Sequence, residues 1–467
     1  MSGISVTRRH LLKSAGLLVL AMPVLQACGG APAASPSAGS PAASGQASTT
    51  ASQSAGQATA APAAQAAASG AKVAMSVAVW TDPVRTWQKK FAQDWAQKNP
   101  NVTLKIDEIT YNDMAKKQLA ELATGTLQDL TYNSIKWIDY NIYKGAFLPI
   151  DSYVKTKDPG IADFIPVSIE SGKWEGKLYA LPSEVNTGNQ NIVIYNKDLL
   201  DAKGVKPPTD DWKQTDFLDM ATKLNDPANK VYGTDYFPGT YYDYGALLLG
   251  NGAQILSDDG KQFLLSDPKS VTLAQWVTEL RTKYKVAPAR ADAQAISFPA
   301  GKIALHTDGV QSIIALKKTI ADKFKFDAVL GPTGPEGRRG FDSFVLNWAI
   351  YAKSKVPETA YELMLYFTAD EQQRWSFANQ GQPPTRKAIW DSDIANQINP
   401  VWGRALKWIT NGIDKGPFPV PWNLRYTELE DKWENEGYGI FYGEVPLSDG
   451  IQKVQADCQA IVSLPRP

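Results

Sequence analysis

From Gly29 to Ala71 the chain contains only Ala, Gly, Ser, Pro, Gln and Thr, and this run limits what the chain can fold into more than any other feature. Such residues cannot bury enough apolar surface to offset the entropy of ordering the backbone, so the run is predicted to stay disordered. As a flexible coil it reaches roughly 35–40 Å, from about 5–6 Å times the square root of its length. A packed core is therefore expected only beyond it. The remaining chain is long enough for two domains, since single cores stop growing near ~250–300 residues.

Ahead of the low-complexity run lies a short leader. Thr7-Arg8-Arg9-His10-Leu11-Leu12-Lys13 resembles a twin-arginine export signal, with Leu11 where Phe is more usual. An ordinary secretory leader with an incidental Arg pair is the alternative, and it leads to the same side of the membrane. The apolar stretch Leu17–Leu25, interrupted by Pro23, is far shorter than the ~20 residues that span a bilayer. Leu25-Gln26-Ala27-Cys28 resembles the lipobox of bacterial lipoproteins, with Gln26 where a small residue is usual. Lipidation of Cys28 is expected, each buried CH₂ contributing ~0.8 kcal/mol to membrane anchoring. Residues 1–28 are thus read as an export signal with lipobox, and 29–72 as a tether for a soluble module.

Charge and rare residues exclude several functions. Lys+Arg and Asp+Glu both number 48, so the basic stripe that nucleic-acid binding requires is not expected. Besides His10 and Cys28, the chain has one histidine, His306, and one cysteine, Cys458. No disulfide framework or Cys/His zinc site can be built from these, and no metal or cofactor is expected. Cys458 with His306 is formally a nucleophile–base pair; a helix-packed thiol and an ordinary histidine are the simpler reading. The 14 Trp and 19 Tyr supply core area, and also suit a cleft that stacks against sugar rings.

The first part of the folded region reads as strand–helix–strand–helix–strand. Met75–Trp80 is a compact apolar strand, and Asp82-Pro83 opens a helix, Pro being tolerated at its first position. Trp87, Phe91 and Trp95 recur every fourth residue and mark its buried face. Asn99-Pro100 stops it, Val102–Ile106 alternates as a strand, Met114–Ala123 is a second helix ended by Gly125, and Asp129–Tyr132 is a third strand. This order predicts a parallel, doubly wound α/β sheet. Ligands on such sheets sit beyond the carboxyl ends of the strands, which points to Trp80-Thr81-Asp82 and Tyr132-Asn133-Ser134.

Further on, Lys177–Pro182 and Asn191–Tyr195 read as strands joined by a polar connector, Ser183–Gln190, with a second α/β unit after it. Helices are predicted at 215–224, 267–285, 357–368, 400–409 and 426–442. Gly331–Gly337 is Gly-rich but lacks the Gly-Lys-Ser/Thr ending of a phosphate loop, and GxGxxG is absent. The folded part has no GxSxG elbow. A glycosidase carboxylate pair is set by spatial separation and stays open at this point. Asp258-Asp259-Gly260 reads as a hairpin turn.

Several stretches, in order, resemble bacterial extracellular solute-binding proteins of the sugar-binding class, relatives of maltose-binding protein. They are Phe91–Ile106, Ala120–Gly125 with Asp129-Leu130, Gly176–Pro182 with Ile194–Asp198, Phe298–Ala304 with Gly309, Asn347–Ile350 with Pro357–Phe367, and Pro383–Arg386. The resemblance covers nearly all of 73–467. It implies two α/β lobes, one from 73–185 and 341–395, the other from 186–340 and 396–467, that close on ligand about a hinge. It also implies no bond chemistry.

Carried over position by position, the resemblance places ligand contacts at Trp80, Asp82 and Asn133, hinge contacts at Glu184 and Asn186, and second-lobe aromatics at Tyr241 and Tyr242. Gln311 stands where the family often has Trp, and Trp422-Asn423 where another stacking aromatic is usual. Trp348 and Arg386 read as core and as the anchor of a Pro-rich turn. The implied function is capture of a mono- or oligosaccharide by a lipid-anchored monomer on the outer face of the membrane, for delivery to an ABC importer permease. Asp82, Glu184 and Asp243 keep a polyamine or other small solute as an alternative, beside an extracellular glycosidase and a sensory receptor.

Overall fold

The computed structural model describes residues 72–81, 86–186, 192–293, 295–340, 342–390, 392–411, 418–419 and 423–467. The leader, Cys28, the tether, Asp82 and Trp422 lie outside the described residues. So does the expected helix opening at Asp82-Pro83.

Strands β1 (Val73–Trp80), β2 (Val102–Ile109) and β3 (Leu130–Ser134) form the parallel start of the first sheet, β1 lying between the other two. The intervening helix Trp87–Lys98 buries Trp87, Phe91 and Trp95, and Asn99 caps it. Helix Tyr111–Thr124 ends at Gly125, whose φ of 73° lies in the left-handed region that favours glycine. A small hairpin of β4 (Lys173–Trp174) and β5 (Lys177–Leu178) turns through Glu175 and Gly176, both at positive φ, as tight hairpins require.

Next come β6 (Ala180–Asn186), β7 (Ile192–Asn196), β8 (Tyr232–Thr234), β9 (Ile303–Asp308), β10 (Phe326–Leu330), β11 (Asp342–Ile350) and β12 (Phe418–Pro419). The first sheet runs β12-β11-β3-β1-β2, and β6 also pairs with β11. The second runs β10-β7-β9-β8. The chain thus passes from the first sheet to the second between β6 and β7, and returns between β10 and β11.

β11 is antiparallel to both β3 and β6, Trp348 opposing Tyr132 on one side and Leu181 on the other. From Phe344 to Ile350 every residue is buried, the continuous run expected of a strand covered on both faces. Trp348 stacks on Phe367 at 4.2 Å and 5°, in the core as expected. Helix Pro400–Asn411 packs on the second sheet, Arg404 donating to Ala328 O at 3.3 Å.

One feature differs from the sequence reading and another was not foreseen by it. Ser183–Asn186 is not a polar connector but the second half of β6, with Val185 and Asn186 opposite Val345 and Phe344. Its polar residues are buried because the strand is flanked by β11. The aromatic stretch after Thr240 forms a helix, Tyr241–Gly250, closed by a capping box between Thr240 and Asp243. The Gly-rich loop packs on this helix: a Cβ on Gly340 would overlap the Ala246 carbonyl, and one on Gly334 would overlap that of Gly250. Gly334 and the neighbouring Gly340 serve close backbone approach, whereas Gly337 turns the chain at a φ of 69° with open space beside it.

Candidate binding cleft between the two sheets

The turn after β3 meets the helix Tyr241–Gly250 and the helix Tyr426–Lys432 through Lys136. A row of rings joins them. Trp80 packs on Tyr111 at 4.9 Å, Tyr111 lies 5.3 Å from Trp137 and 6.5 Å from Phe344, and Phe344 stacks on Tyr242 at 5.4 Å and 24°. Behind the row, Tyr132 packs 6.3 Å from Trp80 and donates its hydroxyl to Glu184. Tyr111 shares a 3.1 Å hydrogen bond with Ser134.

Lys136 enters this row from the turn after β3. Its Nζ lies 2.7 Å from Glu430 Oε1, 4.6 Å from the Tyr242 ring, 5.6 Å from Tyr426 and 5.7 Å from Phe344. Burial disfavours the ammonium, but Tyr111 and Glu430 outweigh it and hold the amine above its ordinary pKa. Asp243 is pushed up to about 6, chiefly by burial, against the opposing pull of Thr240 and Lys136. Asn133 and Asn347 sit opposite each other on β3 and β11. Among the described residues, Asn133 Oδ1, Asn347 Nδ2 and Asn186 Oδ1 are buried without a hydrogen-bond partner. Buried amides left open in this way have polar capacity to spare for a ligand or ordered water.

At the carboxyl ends of the parallel pair β8 and β9 in the second sheet lies another charged group. His306 Nδ1 is 2.6 Å from Asp235 and Nε2 is 3.4 Å from Asp308, and the ring stacks on Phe298 at 5.2 Å and 16°. Burial opposes its charge, yet Asp235 and Asp308 raise its pKa to about 10. His306 is therefore no ordinary histidine but an imidazolium pinned between two carboxylates. Cys458 is a fully buried thiol pushed up to about 12 by burial, as expected of packing.

Trp80 and Tyr242 belong to the ring row, Glu184 meets it through Tyr132, and Asn186 lies opposite Phe344, whereas Asn133 faces the other side of β3 and donates to Thr131 O at 3.0 Å; Gln311 follows β9 in a half-buried turn at 310–312. Tyr241 is fully buried between Tyr426 and Phe263, at 4.9 and 6.4 Å, so its ring belongs to the helical core. Asn423 donates to Gly260 O at 2.8 Å and accepts from Arg425 N at 2.8 Å; both ends of its amide serve the protein. Arg386 ties its turn to Thr368 O and Pro159 O, each at 2.8 Å. Lys136, Glu430, Tyr111, Phe344 and Tyr426 were not among the expected site residues. Lys136 was within reach of the strand-end rule, two positions beyond Ser134; the partners had no local signal.

A family model described as bacterial extracellular solute-binding protein matches residues 86–400, more than half of the chain. This chain is a bacterial extracellular solute-binding protein. A protein of Deinococcus radiodurans named as an ABC transporter-binding protein is 22% identical over 371 residues, covering 75% of this chain and 84% of that one. Among solved structures, an ABC substrate-binding protein from Listeria monocytogenes in complex with cycloalternan superposes with a TM-score of 0.73 at 21% identity, over 84% of this chain and all of the other. The GacH receptor of Streptomyces glaucescens, solved unliganded and with acarbose, gives 0.72 at 18% identity, over 84% and 98%. The two-lobed α/β architecture expected from sequence is thereby established. Among the described residues no group of His, Cys, Asp and Glu could hold a metal ion, and no helix is long and apolar enough to cross a membrane.

Proposed function

We propose that this protein captures a mono- or oligosaccharide in the cleft between its two sheets and delivers it to the permease of an ABC importer. The observation that carries the reading is the row Trp80–Tyr111–Phe344–Tyr242, with the buried amide oxygen of Asn186, opposite Phe344 on β6, left open. Sugar rings offer apolar faces to aromatics and hydroxyl edges to such amides. The cycloalternan and acarbose complexes of similar proteins point the same way. The lobes would be 73–185 with 341–395 and 186–340 with 396–467, closing as a monomer about the strands that cross between them. Asp82 and Trp422 are assigned to the same cleft.

Among the described residues, each carboxylate beside the ring row has a protein partner on one oxygen: Glu184 accepts from Tyr132, Asp243 caps its helix and Glu430 pairs with Lys136. That supports binding without bond chemistry. A thermal-shift screen of the purified protein against sugars, polyamines and oligopeptides tests the reading. Binding to the native state alone stabilises by ~2.7 kcal/mol at one hundred times the dissociation constant. A shift with a saccharide that is not consumed is expected; a shift with polyamines alone would refute the carbohydrate assignment. We further propose export through the twin-arginine signal and anchoring at Cys28 on the outer face of the membrane. Cys28→Ala should move the protein from the membrane to the soluble fraction, and retention in the membrane would refute the anchor.

A further inference from the structure

An ammonium recognised by a protein is commonly held over aromatic faces with a carboxylate close by. The cleft contains such an arrangement, already filled from within. Lys136 reaches it from the turn after β3, while Tyr242, Tyr426 and Glu430 come from two helices distant in sequence and Phe344 comes from β11. The ring centroids lie 4.6–5.7 Å from Nζ, and Glu430 accepts at 2.7 Å. The Lys136 and Glu430 side chains keep only 15% and 11% of their exposure. Asp243, on the residue after Tyr242, adds a second carboxylate that acts on the same amine.

We propose that Lys136 is a specificity-determining residue, an internal ammonium that fills this aromatic cage and so excludes amine-bearing solutes from the cleft. The proposal rests on the reading of the inter-sheet cleft as the ligand site. A cationic solute entering the cage must displace Lys136 or lie beside it, placing two like charges in a site of low dielectric. A neutral, hydroxyl-bearing solute meets no such penalty, and can use the rings that Lys136 leaves uncovered.

The test removes the internal ligand and offers it back. Lys136→Ala leaves the side chain at Cβ, and n-propylammonium replaces the atoms lost. In the full chain, titration calorimetry should show the variant binding n-propylammonium at least about tenfold more tightly than the parent, the gain expected of a desolvated cation over aromatic faces. Adding Glu430→Gln to the variant should abolish that gain. Equal binding by the parent and the variant, or no gain in a variant that retains its circular dichroism spectrum, would overturn the proposal. Should the Ala variant not fold, Lys136→Met preserves the volume without the charge. It should then melt below the double variant Lys136→Met/Glu430→Gln, in which the amine's direct partner no longer carries an orphaned charge. A double variant no more stable than the single one would count against a cage built for an ammonium. Failure of the parent to bind any saccharide would remove the carbohydrate reading alone, because the n-propylammonium result does not depend on it.

Discussion

Two buried cations stand at the strand ends of the two sheets, and they differ in what they join. His306 links β9 to Asp235, the residue after β8, and to Asp308 on its own strand. All three lie on one sheet, so the cluster stitches neighbouring strands of a single unit. Lys136 instead bonds Glu430, 294 positions away, and touches rings from three separate elements. The same chemistry, a cation between carboxylates, is local reinforcement in one place and a junction between segments far apart in sequence in the other. Under the proposed closure, with Lys136 on one lobe and Glu430 on the other, this contact has to loosen when the lobes part, whereas one inside a sheet does not.

The sharpest way to break the comparison is to remove one carboxylate from each site. Glu430→Ala leaves the Lys136 ammonium without its direct ion-pair partner, and unfolding by urea should show a loss of about 3–5 kcal/mol. Asp308→Ala should cost far less, because Asp235 still holds His306 at 2.6 Å. Equal losses would mean that the two sites are energetically alike and the contrast false.

Next in size is the pH signature of the second-sheet site. The folded pKa of His306, about 10, lies above its ordinary value of 6.5. Its stabilisation is therefore fully present below pH 6.5 and lost as pH rises toward about 10. His306→Gln should be about 2–4 kcal/mol less stable than the parent at pH 6. Chemical unfolding between pH 6 and 10 should show that difference shrinking, and a constant difference would show that the charge is not what matters.

How much of this was legible varied with sequence separation. Trp87, Phe91 and Trp95 announce a buried helical face because the period is local, and Gly125 marks a helix end for a conformational reason of its own. The parallel start of the first sheet followed from the alternation of short elements, and from it the placement of Trp80 at a strand end; that Asn133 faces away from the rings depends on the pleat of β3 and was not read from the sequence. By contrast, Ser183–Asn186 is polar in sequence, and only its pairing with β11, more than 150 residues on, makes it a strand. Thr240 and Asp243 carried a capping signal for the helix Tyr241–Gly250, but the aromatic run obscured it, and it is that helix geometry which turns Tyr242 to the cleft and Tyr241 into the core. Glu430 could not be paired with Lys136 from any window of sequence, since the two stand 294 positions apart.

The smallest expected effect sharpens the contrast through Asp243. Its folded pKa, about 6, lies above the ordinary carboxylate value of 3.8, with burial the leading cause and Thr240 and Lys136 opposing it. Here the raised value works against the fold: the native state holds the proton more tightly than the unfolded chain, so stability falls as pH rises from 3.8 through about 6. Asp243→Asn removes the titration while keeping a side-chain oxygen to accept from the Thr240 amide. The parent should therefore lose about 1–3 kcal/mol relative to this variant between pH 4 and pH 7. Over that interval His306 stays protonated in the folded chain, so a companion pair built on His306→Gln should change with pH only once the unfolded histidine begins to titrate. Measuring both pairs across pH 4–10 separates the two sites on one axis, the cleft responding in acid and the second-sheet cluster toward alkaline pH. A difference between the parent and the Asp243→Asn variant that stays flat from pH 4 to 7 would show that the Asp243 carboxylate is stabilised as an anion, and that Lys136 is shared between two ionised partners rather than held by Glu430.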